Sequence, residues 1–495
     1  MNKYQSSVLA SIVALASTAC GSDSDRDRKT IVINNEPLAT SAIWEAPAYG
    51  WIFDVKDKEH TMYQVTDNSC QTFYLSDNYD YSHQELLDSM EVSVDKTRMT
   101  TTIIGLKVPG VEMTKISTLP DICVSGIEKT HRDSDYQFDA QRDLDIFWQT
   151  FNELYAFFEL ENIDWQAIYQ FADSEIDADS TKEELFEVLA EMITPLKDFH
   201  VNLISEETDL EYTVSRKPDV SDILLQKFKH EFNISEPLTN EQLELFQAFY
   251  NQMHQLSYDV IFEHLVGETF IGSNNTETIL WGKTPSNHGY VFIETMELED
   301  IGDSTKNKQE NMAILAETFD TILNDLTHIE GLIIDIRYND GGDDFVGQYI
   351  TSRLIDSPLH VYSKQARLGN ERTQLQEIHV SPSEGEKFLG SIVLLTSNST
   401  SSAAETFAIS LRERSNTTLI GEQTAGGLSD MLPKTLPHGL TYTLSNEFYL
   451  TPDGESFEGT GVPVNIESAF FDDALFNEGI DNALDVAIEY LNAQQ

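Results

Sequence analysis

The chain has few cysteines, few basic residues and only one long apolar run. Three of its 495 residues are cysteine, and 31 basic side chains stand against 84 acidic ones, which gives a formal net charge of −53. Because nucleic-acid binding needs a basic surface, this balance argues against a nucleic-acid partner. The 12 histidines show no metal-ligand spacing, so the sequence implies neither a metal nor an organic cofactor. The acidic excess indicates a self-repelling, soluble surface.

The one long apolar run lies at the N-terminus and ends just before Cys20. It is too short to span a bilayer as a retained helix. Small residues before a cysteine, followed by a polar stretch, resemble a bacterial lipoprotein signal. This resemblance implies that residues 1–19 are a signal peptide and that Cys20 is the lipidated first residue. Residues 20–30 would then form a tether. Ordinary signal cleavage nearby is the alternative, and both interpretations predict export.

No aspartate directly follows Cys20, so retention in an inner membrane is not indicated. We therefore expect a periplasmic protein whose N-terminal lipid attaches it to the bacterial outer membrane. In that oxidising compartment the remaining pair, Cys70 and Cys123, predicts a disulfide. Two free buried thiols are the alternative.

The apolar pattern changes along the chain and predicts a multidomain α+β fold. Residues 31–127 carry short alternating runs broken by turn residues, which predict a small β-rich domain that holds both cysteines. Residues 138–204 show helical spacing of apolar side chains, and residues 205–285 form a charged segment that predicts a helical insertion. From residue 286 to residue 495, strand-like and helix-like runs alternate, which predicts a C-terminal α/β domain.

Two corners of this last domain have the pattern of an active site. Residues 396–405 are rich in small hydroxyl side chains, and they join an apolar strand-like run to a helix-like run. A hydroxyl at a helix N-terminus can attack a carbonyl while backbone N–H groups hold the oxyanion. A second strand-like run ends in the Gly341–Gly342 pair, which permits close backbone approach. A helix N-cap and an ordinary βα turn are the alternatives for these two corners.

Three motifs, LIIDIRYNDGG, VLLTSNSTSSAAE and LIGEQTAGG, occur in that order. Together they resemble the serine peptidase family of C-terminal-processing proteases, the tricorn core protease and interphotoreceptor-retinoid-binding protein. The resemblance runs from about residue 138 to the C-terminus and implies a crotonase-like α/β catalytic domain. It also implies that Ser402 is the nucleophile, with the amides of Ala403 and of the Gly341–Gly342 turn as oxyanion donors. Relatives often carry a PDZ module, but residues 205–285 contain no PDZ-like carboxylate-binding loop.

The resemblance also indicates which residue acts as the general base for Ser402. Relatives of the C-terminal-processing type use a lysine about 25 residues after the serine, but Gly427 stands there, and Lys434 lies outside the motif. The chain instead resembles the tricorn-like type, which uses a histidine in an Asp-x-His motif and a late glutamate. These positions match His200 as general base and Glu458 as the orienting acid.

Two residues next to His200 affect this assignment. Phe199 replaces the serine that precedes the histidine in the tricorn protease, so the contact between Glu458 and His200 is direct, water-mediated or absent. Asp198 is an alternative orienting acid.

The resemblance therefore implies a serine-type endopeptidase that acts on a peptide or protein through an acyl-enzyme, and the N-terminal segment implies that it is exported. A non-catalytic binder of peptides or hydrophobic ligands is the main alternative, because this scaffold also serves binding proteins. A small-acyl esterase is a third possibility. The sequence gives neither the substrate preference nor the oligomeric state.

Overall fold

The structure is a computed structural model, and it describes residues 41–56, 59–73, 86–87, 89–102, 110–215, 220–235, 238–272 and 278–494. The predicted signal peptide, Cys20 and the tether lie outside these residues. No helix within the described ranges is long and apolar enough to cross a membrane. The described part of the chain is a mixed α/β protein with several sheets, in agreement with the mixture of helices and strands that the sequence predicts.

The first sheet is antiparallel and has the strand order β4-β3-β2-β1-β7-β6-β5. Its strands are β1 (Ala42–Ala46), β2 (Trp51–Val55), β3 (His60–Val65), β4 (Cys70–Thr72), β5 (Met90–Val92), β6 (Arg98–Thr101) and β7 (Val111–Ile116). The short helix α1 (Asp121–Ser125) follows it. The predicted disulfide is present, and it joins Cys70 of β4 to Cys123 of α1.

Helices fill the region that follows. Their bounds are α2 (Ala140–Leu154), α3 (Trp165–Glu175), α4 (Lys182–Ile193), α5 (Val220–Phe232) and α6 (Asn240–Glu263). Side-chain caps fix their starts: Asp139 accepts from the N–H of Arg142 at α2, and Thr181 and Glu184 form a capping box at α4. The apolar faces of α2 and α4 pack against the first sheet in one shared core.

The central sheet has the order β10-β11-β12-β13-β17-β18-β22. Its strands are β10 (Val266–Ile271), β11 (Ile279–Lys283), β12 (Gly289–Ile293), β13 (Leu332–Asp335), β17 (Ile392–Thr396), β18 (Thr417–Gly421) and β22 (Ile466–Glu467). From β12 onward the strands are parallel and largely buried on both faces. Strands β10 and β11 lie before residue 286, so the sheet starts within the segment predicted as a helical insertion.

Helices cover both faces of the central sheet. Their bounds are α7 (Leu298–Ile301), α8 (Lys308–Asp325), α9 (Asp344–Ser352), α10 (Ala403–Arg412), α11 (Asp473–Glu478) and α12 (Asn482–Ala493). Helices α7 to α10 pack on one face, and α12 with the end of α6 packs on the other. Because β13 and β17 are parallel neighbours, the loops that follow them meet at one edge of the sheet.

Two four-stranded sheets complete the fold. One contains β14 (Leu359–Leu368), β15 (Glu371–Arg372), β16 (Gln376–Val380) and β21 (Glu447–Leu450). The other contains β8 (Asn202–Ser205), β9 (Leu210–Thr213), β19 (Met431–Thr435) and β20 (Thr441–Ser445). In the second sheet β20 pairs with β8, which places the segment just after His200 beside a late part of the chain.

Candidate active site

Ser402 ends the loop that joins strand β17 to helix α10. Its backbone has φ 54° and ψ −125°, a combination that residues with a side chain seldom adopt. In α/β hydrolases a similarly strained turn between a strand and a helix exposes the nucleophile. Ser402 is partly exposed, and Ala403 after it begins the helix, where N–H groups have no partner within the helix. The structure therefore places the predicted nucleophile at a helix N-terminus.

Neighbouring hydroxyl groups fasten this loop to the loop after β13. Thr400 Oγ1 donates to Ile336 O at 2.8 Å, and Ser401 Oγ donates to Asp340 O at 2.8 Å. The N–H of Ser401 also donates to Asn339 O at 3.1 Å. The hydroxyls of Thr400 and Ser401 therefore have structural roles, and the two loops form one unit.

The glycine turn lies directly beside Ser402. A Cβ atom added to Gly341 would lie 2.6 Å from the Cβ of Ser402, so only glycine permits this approach. The N–H of Gly341 donates to Asn339 Oδ1 at 3.0 Å. Within the described ranges no hydrogen bond engages the N–H of Gly342. The amides of Gly342 and Ala403 are therefore the two predicted donors that remain available for an oxyanion.

Glu405 fixes the loop of the third motif against the start of α10. Its buried carboxylate accepts from Thr424 Oγ1 at 2.5 Å and from the N–H groups of Gly426 and Gly427 at 2.7 and 2.8 Å. It also accepts from the N–H of Ser402 at 3.2 Å. One carboxylate therefore joins the serine to residues 424–427. Sequence reasoning missed this role, although the three-residue spacing from Ser402 is the spacing of a capping box.

His200 is buried in the turn just before β8, and its backbone is held on both sides. Its N–H donates to Asp198 Oδ1 at 3.0 Å, and its carbonyl accepts from Thr443 Oγ1 at 2.6 Å. Asp198 also accepts from the hydroxyl of Tyr155 at 3.2 Å. Asp198 therefore binds the backbone of the histidine turn. This contact differs from the role considered above, in which Asp198 would orient the imidazole of His200.

Phe199 and Glu458 converge on the same loop from two directions. A Cβ atom on Gly427 would lie 2.2 Å from Cζ of Phe199, so the ring rests on the glycine backbone. The carbonyl of Gly427 accepts from the N–H of Ser402 at 3.0 Å. Glu458 is buried, and its Oε2 accepts from the N–H groups of Leu428 at 2.9 Å and Ser429 at 3.0 Å. Residues 424–429 therefore contact the segments that carry all three predicted catalytic residues.

Two buried lysines of this region are engaged elsewhere. Lys434 Nζ donates to the carbonyls of Tyr49 at 2.6 Å and Gly50 at 3.3 Å, and burial lowers its pKa well below the ordinary value. Lys364 Nζ lies 3.0 Å from Glu447 Oε2 in an ion pair.

The part of the chain that the structure describes contains no cluster of three or more His, Cys, Asp or Glu side chains suited to a metal ion.

Helices α5 and α6 contact both loops of the site. The N–H of Val220, the first residue of α5, donates to Ser399 Oγ at 3.2 Å. Ser257 of α6 forms a hydrogen bond with the hydroxyl of Tyr338, which lies three residues before Gly341. Both helices are therefore packed against the site.

Comparison with known protein families gives two matches in the same order along the chain. Residues 287–468 match the model of peptidase family S41, and residues 139–194 match that of the tricorn protease C1 domain. The first range contains Ser402, the glycine turn and Glu458. The second ends six residues before His200.

Curated relatives match over part of their length. The carboxy-terminal processing protease CtpA of Bacillus subtilis is 31% identical over 141 residues, which is 28% of this chain and 28% of that protein. The tricorn protease of Thermoplasma acidophilum is 29% identical over 181 residues, 36% of this chain and 15% of that protein. The chain therefore aligns with less than a third of either relative.

A solved structure shares the fold. The crystal structure of a candidate peptidase from Parabacteroides merdae has a TM-score of 0.54 and 20% identity, and covers 72% of this chain and 97% of that one. The two proteins therefore share a fold over more of the chain than the ranges that the family models match. The chain therefore contains a peptidase family S41 domain at residues 287–468 and a tricorn protease C1 domain at residues 139–194.

Proposed function

We propose that this protein is a serine-type endopeptidase that cleaves peptide or protein substrates through an acyl-enzyme on Ser402. The observation that carries the proposal is the strained turn at Ser402, which lies against Gly341 at the N-terminus of α10. This arrangement combines a partly exposed hydroxyl with two available amides. Ser402, Glu458 and the oxyanion donors lie on a unit, residues 286–495, that we infer to be crotonase-like, whereas His200 precedes it in the chain.

In the proposed mechanism His200 removes the proton from Ser402 as Oγ attacks the peptide carbonyl. The N–H groups of Ala403 and Gly342 stabilise the oxyanion, and His200 then protonates the leaving amine. Water activated by His200 hydrolyses the acyl-enzyme. Glu458 orients the imidazole and stabilises its cation.

The packing around Gly427 supports histidine rather than lysine as the base. A lysine at residue 427 would collide with the ring of Phe199. Lys434 is committed to backbone carbonyls between β1 and β2, and Lys364 to Glu447. Neither buried lysine is therefore available as the base.

The proposal is tested by hydrolysis of an unfolded protein such as casein and of a small p-nitrophenyl ester. We expect Ser402→Ala and His200→Ala to lose at least about 10³-fold in kcat while retaining the fold. Lys434→Ala is the control, and its specific activity in the folded state should stay near that of the wild type. Loss of activity in Lys434→Ala together with unchanged activity in His200→Ala would replace the mechanism by a Ser–Lys one.

The same assay separates the alternatives. Hydrolysis of the ester alone would indicate a small-acyl esterase. Binding of peptides without turnover of either substrate would indicate a non-catalytic binder. Turnover of casein that disappears in Ser402→Ala would support the peptidase.

We also propose that the protein is exported and attached to the outer membrane of a Gram-negative cell through lipid on Cys20. The disulfide between Cys70 and Cys123 supports an oxidising compartment. Cys20→Ser should release the protein to the soluble fraction or block its maturation. A wild-type protein that fractionates as soluble, with an unmodified N-terminus other than Cys20, would contradict the anchor.

A further inference from the structure

Two carboxylates lie within 4 Å of one buried ammonium group, and the charge of a third raises its pKa. Lys364 of β14 is 1% exposed, and its Nζ lies 3.0 Å from Glu447 Oε2 and 3.6 Å from Asp430 Oδ2. Asp344 at the start of α9 is the third carboxylate whose charge acts on this lysine. Within the described ranges, Lys364 is the only basic side chain in an ion pair with any of the three. One cation therefore balances up to three anions in a medium that screens charge poorly.

Asp344 contacts the helix that follows Ser402. Asp344 Oδ1 accepts from Thr406 Oγ1 at 2.7 Å, in the first turn of the helix that Ser402 precedes. Asp344 also lies two residues after Gly342. The cluster therefore extends to both loops that form the proposed nucleophile and oxyanion site.

The other two carboxylates, Asp430 and Glu447, lie next to the loop that binds Glu458. Asp430 directly follows Leu428 and Ser429, whose N–H groups bind Glu458 Oε2. The N–H of Glu447 donates to Ser429 Oγ at 3.1 Å. The loop that holds Glu458 is therefore fixed to the strand that carries the main partner of Lys364.

Tyrosines enclose the cluster on its other sides. The hydroxyl of Tyr49, from the connection between β1 and β2, donates to Glu447 Oε1 at 2.5 Å. The hydroxyls of Tyr362 and Tyr449 each lie 3.4 Å from Asp344 Oδ2. The titratable groups of this cluster are therefore one lysine, three carboxylates and three tyrosines.

We propose that Lys364 is a positioning residue for this peptidase: its ammonium group holds the Glu458 loop and the start of the Ser402 helix in their active arrangement. This inference rests on the proposed function. Without Lys364 the carboxylates would repel one another, so they would take up protons or move apart. Burial raises the pKa of Asp430 to about 7 although Lys364 opposes the shift, which is consistent with a cluster that depends on its single cation.

The test compares Lys364→Met with Lys434→Met, which alters a lysine that is equally buried but binds backbone carbonyls. For Lys364→Met we expect kcat for casein-derived peptides to fall roughly 10- to 100-fold with little change in KM. Removal of the cation raises the pKa of the three carboxylates, so they take up protons at a higher pH. Because the active arrangement depends on their charges, the acidic limb of the kcat–pH profile should move up by about one pH unit. Lys434→Met should leave the limb in place, and Lys364→Arg should restore much of the rate.

Glu447→Gln provides a second variant should Lys364→Met fail to fold. It removes an anion from the same pair, so the acidic limb should move down, opposite to the lysine variant. A purely structural role predicts no such opposite movement. Wild-type kcat and pH profiles in folded Lys364→Met, or an unmoved limb in Glu447→Gln, would overturn the inference.

The wild-type protein and Ser402→Ala separate this inference from the function on which it rests. Casein turnover that requires Ser402 establishes the reaction independently of Lys364. In that case an unchanged Lys364→Met profile overturns only the positioning role. Absence of turnover in the wild type overturns both.

Discussion

The ring of Phe199 lies on the backbone of Gly427, so that a Cβ at residue 427 would stand 2.2 Å from the Cζ of Phe199. Gly427 in turn accepts a hydrogen bond from the N–H of Ser402, and Phe199 precedes His200. The aromatic ring therefore occupies the space that a side chain at residue 427 would need. This contact links the histidine turn to the serine loop through a single glycine.

Gly427→Ala should destabilise the protein by about 1–3 kcal/mol, because the added methyl group overlaps the ring of Phe199. Gly126→Ala is a control, since a Cβ atom there meets nothing within 4 Å. The measurement is chemical denaturation of both variants and of Phe199→Ala/Gly427→Ala. Equal stability of the two single variants would show that the ring moves aside without cost.

Glu405→Gln should lower kcat roughly 10- to 100-fold with a small effect on KM, because an amide NH₂ group would face N–H donors now held by the carboxylate. Steady-state kinetics and thermal unfolding measure the two effects. Glu413→Gln, just after the end of the same helix, serves as the control and should behave as wild type. Unchanged kcat in Glu405→Gln would show that the serine loop keeps its shape without this carboxylate.

Removal of the disulfide should destabilise the protein without abolishing catalysis. Cys70 and Cys123 are 53 residues apart, and closing a loop of that length contributes about 4 kcal/mol in the chain-entropy model. Cys70→Ala/Cys123→Ala should therefore unfold at a lower temperature while its kcat below that transition stays near the wild-type value. Free thiols at both positions in the wild-type protein would contradict the predicted bridge.

Asp430→Asn should stabilise the protein at pH 8 more than at pH 4. Burial raises the pKa of Asp430 from 3.8 to about 7, so the folded state holds this proton more tightly than the unfolded chain. That contribution is fully present below pH 3.8 and is lost as the pH rises through about 7. The neutral amide avoids the loss, and we expect a gain on the order of 1–2 kcal/mol at pH 8. Denaturation midpoints at both pH values test this prediction. A stability gain that is larger at pH 4 than at pH 8 would contradict it.

Local pattern predicted the parts of the site that lie close together in sequence. The small residues before Ser402 and the paired glycines each end a strand, and the parallel register brings them together. Long-range pairing was not visible, because β20 joins β8 from more than 200 residues away. The short apolar run of β11 also has no clear period, so its place in the central sheet was missed.

Charge clusters were the other feature that the sequence did not reveal. Lys364, Asp344, Asp430 and Glu447 come from four separate segments, and each alone resembles an ordinary charged residue. Glu405 was recognised only as part of a motif. Its four hydrogen bonds depend on the position of residues 424–427, which only the fold specifies.

The most direct test of the account is labelling with a fluorophosphonate probe, followed by mass spectrometry of the modified peptide. We expect a single adduct on Ser402 in the wild-type protein. Labelling should be much slower in folded His200→Ala and absent in Ser402→Ala, while Ser401→Ala should still be labelled on Ser402. An adduct on another serine, or none on a wild-type protein that still hydrolyses casein, would contradict the assignment of Ser402 as the nucleophile.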